Sequence, residues 1–443
     1  MDDYKKILRP VILSFIVYIL GLIYIERHET MLLLPWFLFL FAEFLVIYLK
    51  CEHESQIKFA VFSSVVFRAI FFFSLPVLSD DFYRFIWDGL LLNAGMNPFV
   101  LTPVEIMQEG LPIHGITEEL YSNLNSKPYH SIYPPINQMV FFIATFIFPK
   151  SIAGGVFVIR LVLFAAEVGS LILLFKLAKV YKFPRKNILF YALNPLVILE
   201  VTGNLHFEGL MIFFLLFSIY LLKRSGIQKS ALLFGLAIST KLIPVIGWAL
   251  LLKRIKLKRS FHFILISGGI TFFLFIGFFS KPFLEGISSS IGLYFQKFEF
   301  NASLYYIIRE IGFYVRGYNV IKTAGIWLAL ITFSSIIIYA AIEYYKKVNF
   351  PTALMVIWTI YLLFSTTVHP WYILPLVAFS LFGRYRYPLA WSLLIFFTYA
   401  NYQLNEYHEI IWIVIAEYSI LAIFIYREVT KHEFSLESKL AKK

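Results

Sequence analysis

Cysteine is almost missing from this chain of 443 residues: there is one, Cys51, which excludes an internal disulfide and any cysteine-built metal cluster. Charge is scarce too. Only 15% of residues are Asp, Glu, Lys or Arg, against 60% hydrophobic, and mean hydropathy is +0.76; that balance excludes a soluble globular domain and describes a polytopic membrane protein. No glycine-rich phosphate loop occurs, so a nucleotide has no recognisable cradle. No internal repeat, low-complexity segment or soluble appended domain is visible, and residues 1–443 read as one transmembrane domain. What is abundant is aromatic: 19% of residues, with many Tyr and Trp near expected helix ends, where amphipathic rings suit the headgroup region. The net charge of +12 follows from lysines that anchor cytoplasmic loops, and no nucleic-acid partner is expected.

Lys5, Lys6 and Arg9 precede an apolar run over 10–25 with no small-residue cleavage pattern behind it, so this run reads as a first span. Further spans are expected at 31–49, 57–78, 155–178, 187–202 and 207–222. The segment 136–149, about 14 residues, falls short of the roughly 20 a span needs. If it crossed, Lys176, Lys179, Lys182, Arg185 and Lys186 would lie outside, against the positive-inside rule. It therefore reads as a juxtamembrane helix. The run 230–252 has cytoplasmic-type charge on both flanks, and two half-helices meeting near Thr240-Lys241, with Pro244 opening the second, would take it out and back. Spans at 261–280, 320–344, 351–367, 371–383, 387–403 and 409–426 complete an all-α bundle of about 12–14 crossings, with both termini cytoplasmic and a second outer loop at 281–319.

The longest polar interruption runs from Ser79 to Pro135. It opens Ser79-Asp80-Asp81-Phe82-Tyr83-Arg84-Phe85, with Ser79 or Asp80 as N-cap of a helix. Asp81, Arg84, Phe85 and Asp88 then share one face. Charges beside an apolar helix must meet water, each other or a charged ligand, so a binding site is expected here. Three further polar groups fall on the same side of this topology: the turn Thr202 to Gly209 with His206 and Glu208, the half-helix junction at Lys241, and His369-Pro370-Trp371-Tyr372. Each has a plainer reading. Asp80 or Asp81 could cap a helix, Arg84 could serve only as the partner of Asp88, His206 and Glu208 could cap a helix in water, Lys241 could snorkel to headgroups, and His369 could simply end a helix. Convergence of all of them on one side favours a site.

The pattern Asp81-Phe82-x-x-Phe85-x-x-x-Gly89, then Gly95-x-Asn97-Pro98-Phe99 and Tyr133-Pro134-Pro135, resembles the first outer loop of the GT-C superfamily of membrane glycosyltransferases. Within it the chain is similar to bacterial polyprenol-phosphate-mannose-dependent mannosyltransferases and, more remotely, to the catalytic subunit of the GPI mannosyltransferase. Asn194-Pro195, Lys241-Leu242-Ile243-Pro244, Asn301-x-Ser303-Leu304-Tyr305-Tyr306 and His369-Pro370-Trp371-Tyr372 look like later motifs of that group. The resemblance covers about residues 79–376, without the first two and last two spans.

The resemblance implies an inverting transfer of a hexose, mannose by analogy, from a polyprenyl phosphate to a glycan or glycolipid acceptor. It places the reaction at the extracytoplasmic face of a bacterial plasma membrane, in a protein expected to work as a monomer among membrane lipids. It aligns Asp81 with the catalytic aspartate. Asp80 and Asp81 are adjacent where some relatives space two acids by one, so a divalent metal is possible but not required; no other cofactor is expected. The chemistry of the residues agrees. A carboxylate must take the proton of the attacking hydroxyl, and Asp81, held ionised by Arg84, fits that role. Fixed positive charge must meet the departing phosphate, and Lys241, His369 and Arg309 are candidates. Asp88, Tyr133, His206, Glu208 and Tyr372 complete the expected substrate-binding set, and Tyr83, Trp87 and Trp371 could wall a sugar site. A transporter or flippase of a lipid-linked saccharide is the competing reading, but such proteins usually show symmetry between halves, and none is visible here.

Overall fold

The structure is a computed structural model that describes residues 2–224, 226–346, 348–402 and 408–440; Lys347 and the last residue of the expected span 387–403 lie outside them. Regular structure among the described residues is helical, with one isolated bridge between Phe300 and Thr367. Among the described residues six helices are long and apolar enough to cross a membrane: Tyr4–Tyr24, Thr30–Lys50, Glu54–Phe73, Ile152–Tyr181, Leu257–Phe278 and Ile321–Glu343. The pair Pro195–Gly203 and Glu208–Lys223, bent by 111° at its break, passes the same test together, as a broken span or a re-entrant loop. Between them lie shorter apolar helices, Pro135–Ile147, Ile243–Leu252, Phe350–Phe364 and Pro370–Ser380. The polytopic helical class is therefore as the composition dictates, while several of the expected 12–14 crossings correspond to helices too short to count as spans by length.

Breaks need compensation, because a helix end buried in apolar surroundings leaves carbonyls without partners. At the bend after Gly203 the compensation is Arg160, fully buried on the helix Ile152–Tyr181. Its guanidinium donates to the carbonyls of Thr202 (2.7 Å), Gly203 (3.2 Å) and Ser74 (2.6 Å). One side chain thus ties the bend to the strand of loop that leads into Ser79. A second buried guanidinium, Arg68, pairs with Glu167 at 2.9 Å and donates to the carbonyl of Ala192, while Tyr191 Oη donates to the same Glu167 at 2.6 Å. Charges at such positions are expensive unless paired or hydrogen-bonded; Arg68 has the Glu167 carboxylate, and Arg160 has backbone carbonyls alone among the described residues.

The first outer loop folds onto itself. Its helix Asp81–Asn93 packs along Pro135–Ile147, which starts as the sequence suggests, with Pro134 as N-cap and Pro135 in the first turn. Phe85 stacks on Phe141 with ring centroids 4.7 Å apart. Gly89 lies so close to the facing helix that an added Cβ would sit 2.3 Å from the Phe141 carbonyl oxygen. Glycine is therefore what the motif requires at this crossing. Pro135–Ile147 has 13 residues, about 20 Å of helix, short of the hydrocarbon thickness. Its exposed Phe142, Ile143 and Phe146 suit a helix lying at the membrane surface.

Candidate functional site

Asp81 begins its helix, and its backbone N–H points to Ser79 Oγ at 3.4 Å. The carboxylates of Asp80 and Asp81 leave the chain in different directions. Asp80 pairs with Arg27 at 2.8 Å, whose guanidinium also lies over the Tyr402 ring at 4.8 Å. Asp81, half-buried, accepts from Asn125 Nδ2 at 3.0 Å and Tyr133 Oη at 3.2 Å. Two neutral donors hold it in place and leave oxygen lone pairs over.

The shared face of Asp81, Arg84 and Asp88 forms, but the loop's own second half covers most of it. Arg84 Nε donates to Asp88 at 2.7 Å, and Nη1 donates to the carbonyls of Ser126 (3.2 Å) and Tyr129 (2.8 Å). These bonds turn Arg84 toward Asp88 and the second half of the loop, in place of the expected pairing with Asp81. Asp88 has no exposed surface and also accepts from Ser131 Oγ and from Gln138 Nε2 at 3.0 Å. A substrate cannot reach it; Asp88 and Arg84 fasten residues 126–138 over the helix. Trp87, expected as a sugar wall, is likewise fully buried.

The bend at 204–207 supplies the next groups. Leu205 has a φ of 66°, a conformation costly for a branched side chain. It lets the His206 N–H return to the Glu200 carbonyl at 2.9 Å. The Glu200 carboxylate accepts from Tyr399 Oη at 2.6 Å and Asn204 Nδ2 at 3.1 Å, and stands 3.3 Å from His206 Nε2. The His206 ring stacks on Trp371 (centroids 3.7 Å apart), whose other neighbour is the ring of His369 (4.4 Å). Glu208 is buried, and Lys241 Nζ lies 3.0 Å from its Oε1, at an angle short of a hydrogen bond.

Lys241 sits where the sequence places a helix break: Ile227–Thr240 ends there, the residue is extended (φ −147°, ψ 136°), and the next turn starts at Ile243. Its side chain is 21% exposed and its ammonium lies 6.0 Å from the Tyr372 ring centre. Burial and the charge of Lys241 push the His369 imidazole down to about 3, so it is neutral at pH 7 and is not the fixed cation expected of it. Arg309 stands apart: it pairs with Glu299 (2.9 Å) and Glu310 (3.0 Å) and lies 4.1 Å over the Tyr306 ring. Those partners belong to the separate packing cluster of the second outer loop.

Asp81 belongs with the groups of the bend through the packing of the helix that carries it. Phe207 makes the link, meeting Phe85 and Phe141 edge-on at 5.7 and 5.4 Å. The structure thus brings together Asp81, Tyr133, His206, Glu208, Lys241, His369 and Tyr372, with Asp80 at the edge. Sequence reasoning passed over Glu200, Arg160, Arg27 and Asn125. The first two carry a signal, an ionisable residue inside an apolar run; nothing in the sequence marks the other two. No three His, Cys, Asp or Glu side chains among the described residues are grouped to hold a metal. With Asp80 committed to Arg27, a metal shared by the two aspartates does not fit this arrangement.

The arrangement offers a proton acceptor, a partly exposed ammonium and aromatic faces in one place, the elements of group transfer to a hydroxyl with an anionic leaving group. Comparison with known proteins agrees. The model of the MptA_B family, described as Alpha-(1->6)-mannopyranosyltransferase, N-terminal domain, matches residues 19–254. The match begins earlier than the resemblance in the motifs, takes in the second and third spans, and stops before Asn301 and His369. No curated protein and no solved structure matches the chain. With just over half its length covered by the family model, the chain belongs to the MptA_B family of mannosyltransferases and is a membrane glycosyltransferase.

Proposed function

We propose that this protein transfers mannose from a polyprenyl phosphate, with inversion and in α-(1→6) linkage, to a hydroxyl of a glycan or glycolipid acceptor, as a GT-C-type enzyme. The acceptor oxygen attacks the anomeric carbon while its proton passes to the Asp81 carboxylate. The bond from that carbon to the phosphate oxygen breaks, and its electron pair leaves with the polyprenyl phosphate. Lys241 is the cation that meets this charge, exchanging Glu208 for phosphate as the donor binds. Tyr372 and Trp371 offer ring faces to the sugar or its neighbour. Asp80 takes no proton in this reading, and no metal is part of it.

The observation that carries the proposal is one half-exposed carboxylate held by neutral donors on a helix whose Phe85 packs on Phe207, the residue before the Glu208 that Lys241 Nζ meets at 3.0 Å. The site is assigned to the extracytoplasmic face of a bacterial plasma membrane, with both termini cytoplasmic and the monomer as the working unit. The test is transfer by purified protein from polyprenyl-phosphate mannose to an oligomannoside, beside parallel reactions with nucleotide-linked mannose and with other polyprenyl-phosphate sugars. Product from the lipid-linked mannose alone, lost in Asp81→Asn, is the expected result. Equal transfer from a nucleotide sugar, or no transfer from any lipid-linked sugar, would overturn it.

A further inference from the structure

At the opposite pole from the polar bend, a cleft of about 850 Å³ lies between the first turns of two helices, Ile227–Thr240 and Leu257–Phe275. Its polar lining is Gln228, Lys229, Lys258, Arg259 and His262, with no carboxylate among the lining residues. Lys229, Lys258, Arg259 and His262 are exposed and have no ion-pair or hydrogen-bond partner among the described residues. Neighbouring cations do find partners: Arg254 pairs with Glu343, Lys223 lies over Tyr181, and Arg224 over Tyr220. The cleft therefore gathers three permanent positive charges whose counter-ion the chain itself does not supply.

The apolar part of the lining says what that counter-ion belongs to. Leu257–Phe278 is long and apolar enough to cross a membrane, and few of its residues are buried in the protein. On it, Lys258, Phe261, His262 and Leu265 follow one another at helical spacing down a single face. From Lys258 to Leu265 the descent is about 10 Å, the depth from headgroup phosphate to the upper acyl chain. Phe261 and Leu265 are 68% and 61% exposed and line the cleft below the cations. A free anion would use only the upper half of such a lining.

We propose that this cleft binds an anionic phospholipid, its phosphate held by Lys229, Lys258 and Arg259 and its acyl chain laid along Phe261 and Leu265. Juxtamembrane cations gather acidic lipids in general; here a walled cleft with a graded lining makes a defined site. The inference concerns the pole away from Asp81 and does not rest on the transfer reaction.

The test measures retention of short-chain phosphatidylglycerol and phosphatidylcholine on the detergent-purified full chain by native mass spectrometry. The variants are Lys229→Gln, Lys258→Gln and Arg259→Gln, singly and together, and a control triple, Lys223→Gln with Arg224→Gln and Lys256→Gln, which removes as many charges at the same pole. All lost side chains are exposed, and the single variants serve if the triple misfolds. The expected result is preference for phosphatidylglycerol, weakened about fivefold for each cleft cation removed, retained in the control and not competed by millimolar inorganic phosphate. Equal loss in cleft and control variants would reduce the effect to general surface charge and overturn the site. Competition by inorganic phosphate would overturn the lipid as its ligand.

Discussion

At the scale of single residues, Asp81 and Asp80 are separated by their partners more than by their chemistry. Asp81 keeps neutral donors and a path to solvent, whereas Asp80 is spent on Arg27. Losing a general base costs about 100-fold to 10,000-fold in rate; Asp81→Asn is expected in that range with protein level unchanged. Asp80→Asn breaks a half-exposed pair worth about 1 kcal/mol or less and should stay within a few-fold of wild type. A dead Asp80→Asn beside an active Asp81→Asn, in the same transfer assay, would reverse the assignment. Lys241 needs a different design, since Lys241→Ala strands the buried Glu208 carboxylate, a loss of about 3–5 kcal/mol for broken buried pairs. Lys241→Met combined with Glu208→Gln removes both charges; it should fold, and its KM for the lipid-linked donor should rise well above that of Glu208→Gln alone. His369 titrates in the opposite sense from a paired histidine. Folded near 3 and unfolded near the ordinary 6.5, it binds fewer protons in the native state between those values, so stability falls as pH drops through that window. His369→Gln should flatten the decline in unfolding temperature between pH 6.5 and 4.

At the scale of elements, the crossing of Asp81–Asn93 with Pro135–Ile147 sets the height and orientation of Asp81. Gly89 allows the approach, and Arg84 with Asp88 closes the loop over it. Gly89→Ala forces a Cβ against the Phe141 carbonyl; overpacking of this kind costs about 1–3 kcal/mol, and it should lower both the melting temperature and the transfer rate. A variant that loses no stability and keeps full activity would show that the close approach does not matter. Local pattern predicted this helix, with Asp80 as one of its two candidate N-caps, and the break at Lys241, because each is a local choice of backbone. It did not show that the charged face would be met by Ser126, Tyr129, Ser131 and Gln138, since each of those contacts joins residues more than 40 positions apart.

For the molecule as a whole, the proposed orientation is testable with the chain's single thiol removed, Cys51 being buried at the end of Thr30–Lys50. A cysteine at exposed Asn125 should react with an impermeant reagent on intact cells, and one at exposed Lys182 should not; labelling at Lys182 would invert the model. By itself the sequence determined the class: with so few charges and such long apolar runs, only membrane-spanning helices satisfy the backbone. It also located the polar stretch, the break at Lys241 and the face carrying Asp81. Only the tertiary structure decided which charges are spent. Asp88, Arg84 and Asp80 are consumed by partners, Arg309 belongs to another cluster, and desolvation beside the Lys241 charge leaves His369 neutral, while Asp81 and Lys241 are partly exposed. The reason is physical. Hydropathy and spacing are summed along the chain, whereas the state of a charge depends on the solvent and counter-charges around it, and residues as distant as Glu200 and Tyr399 supply those.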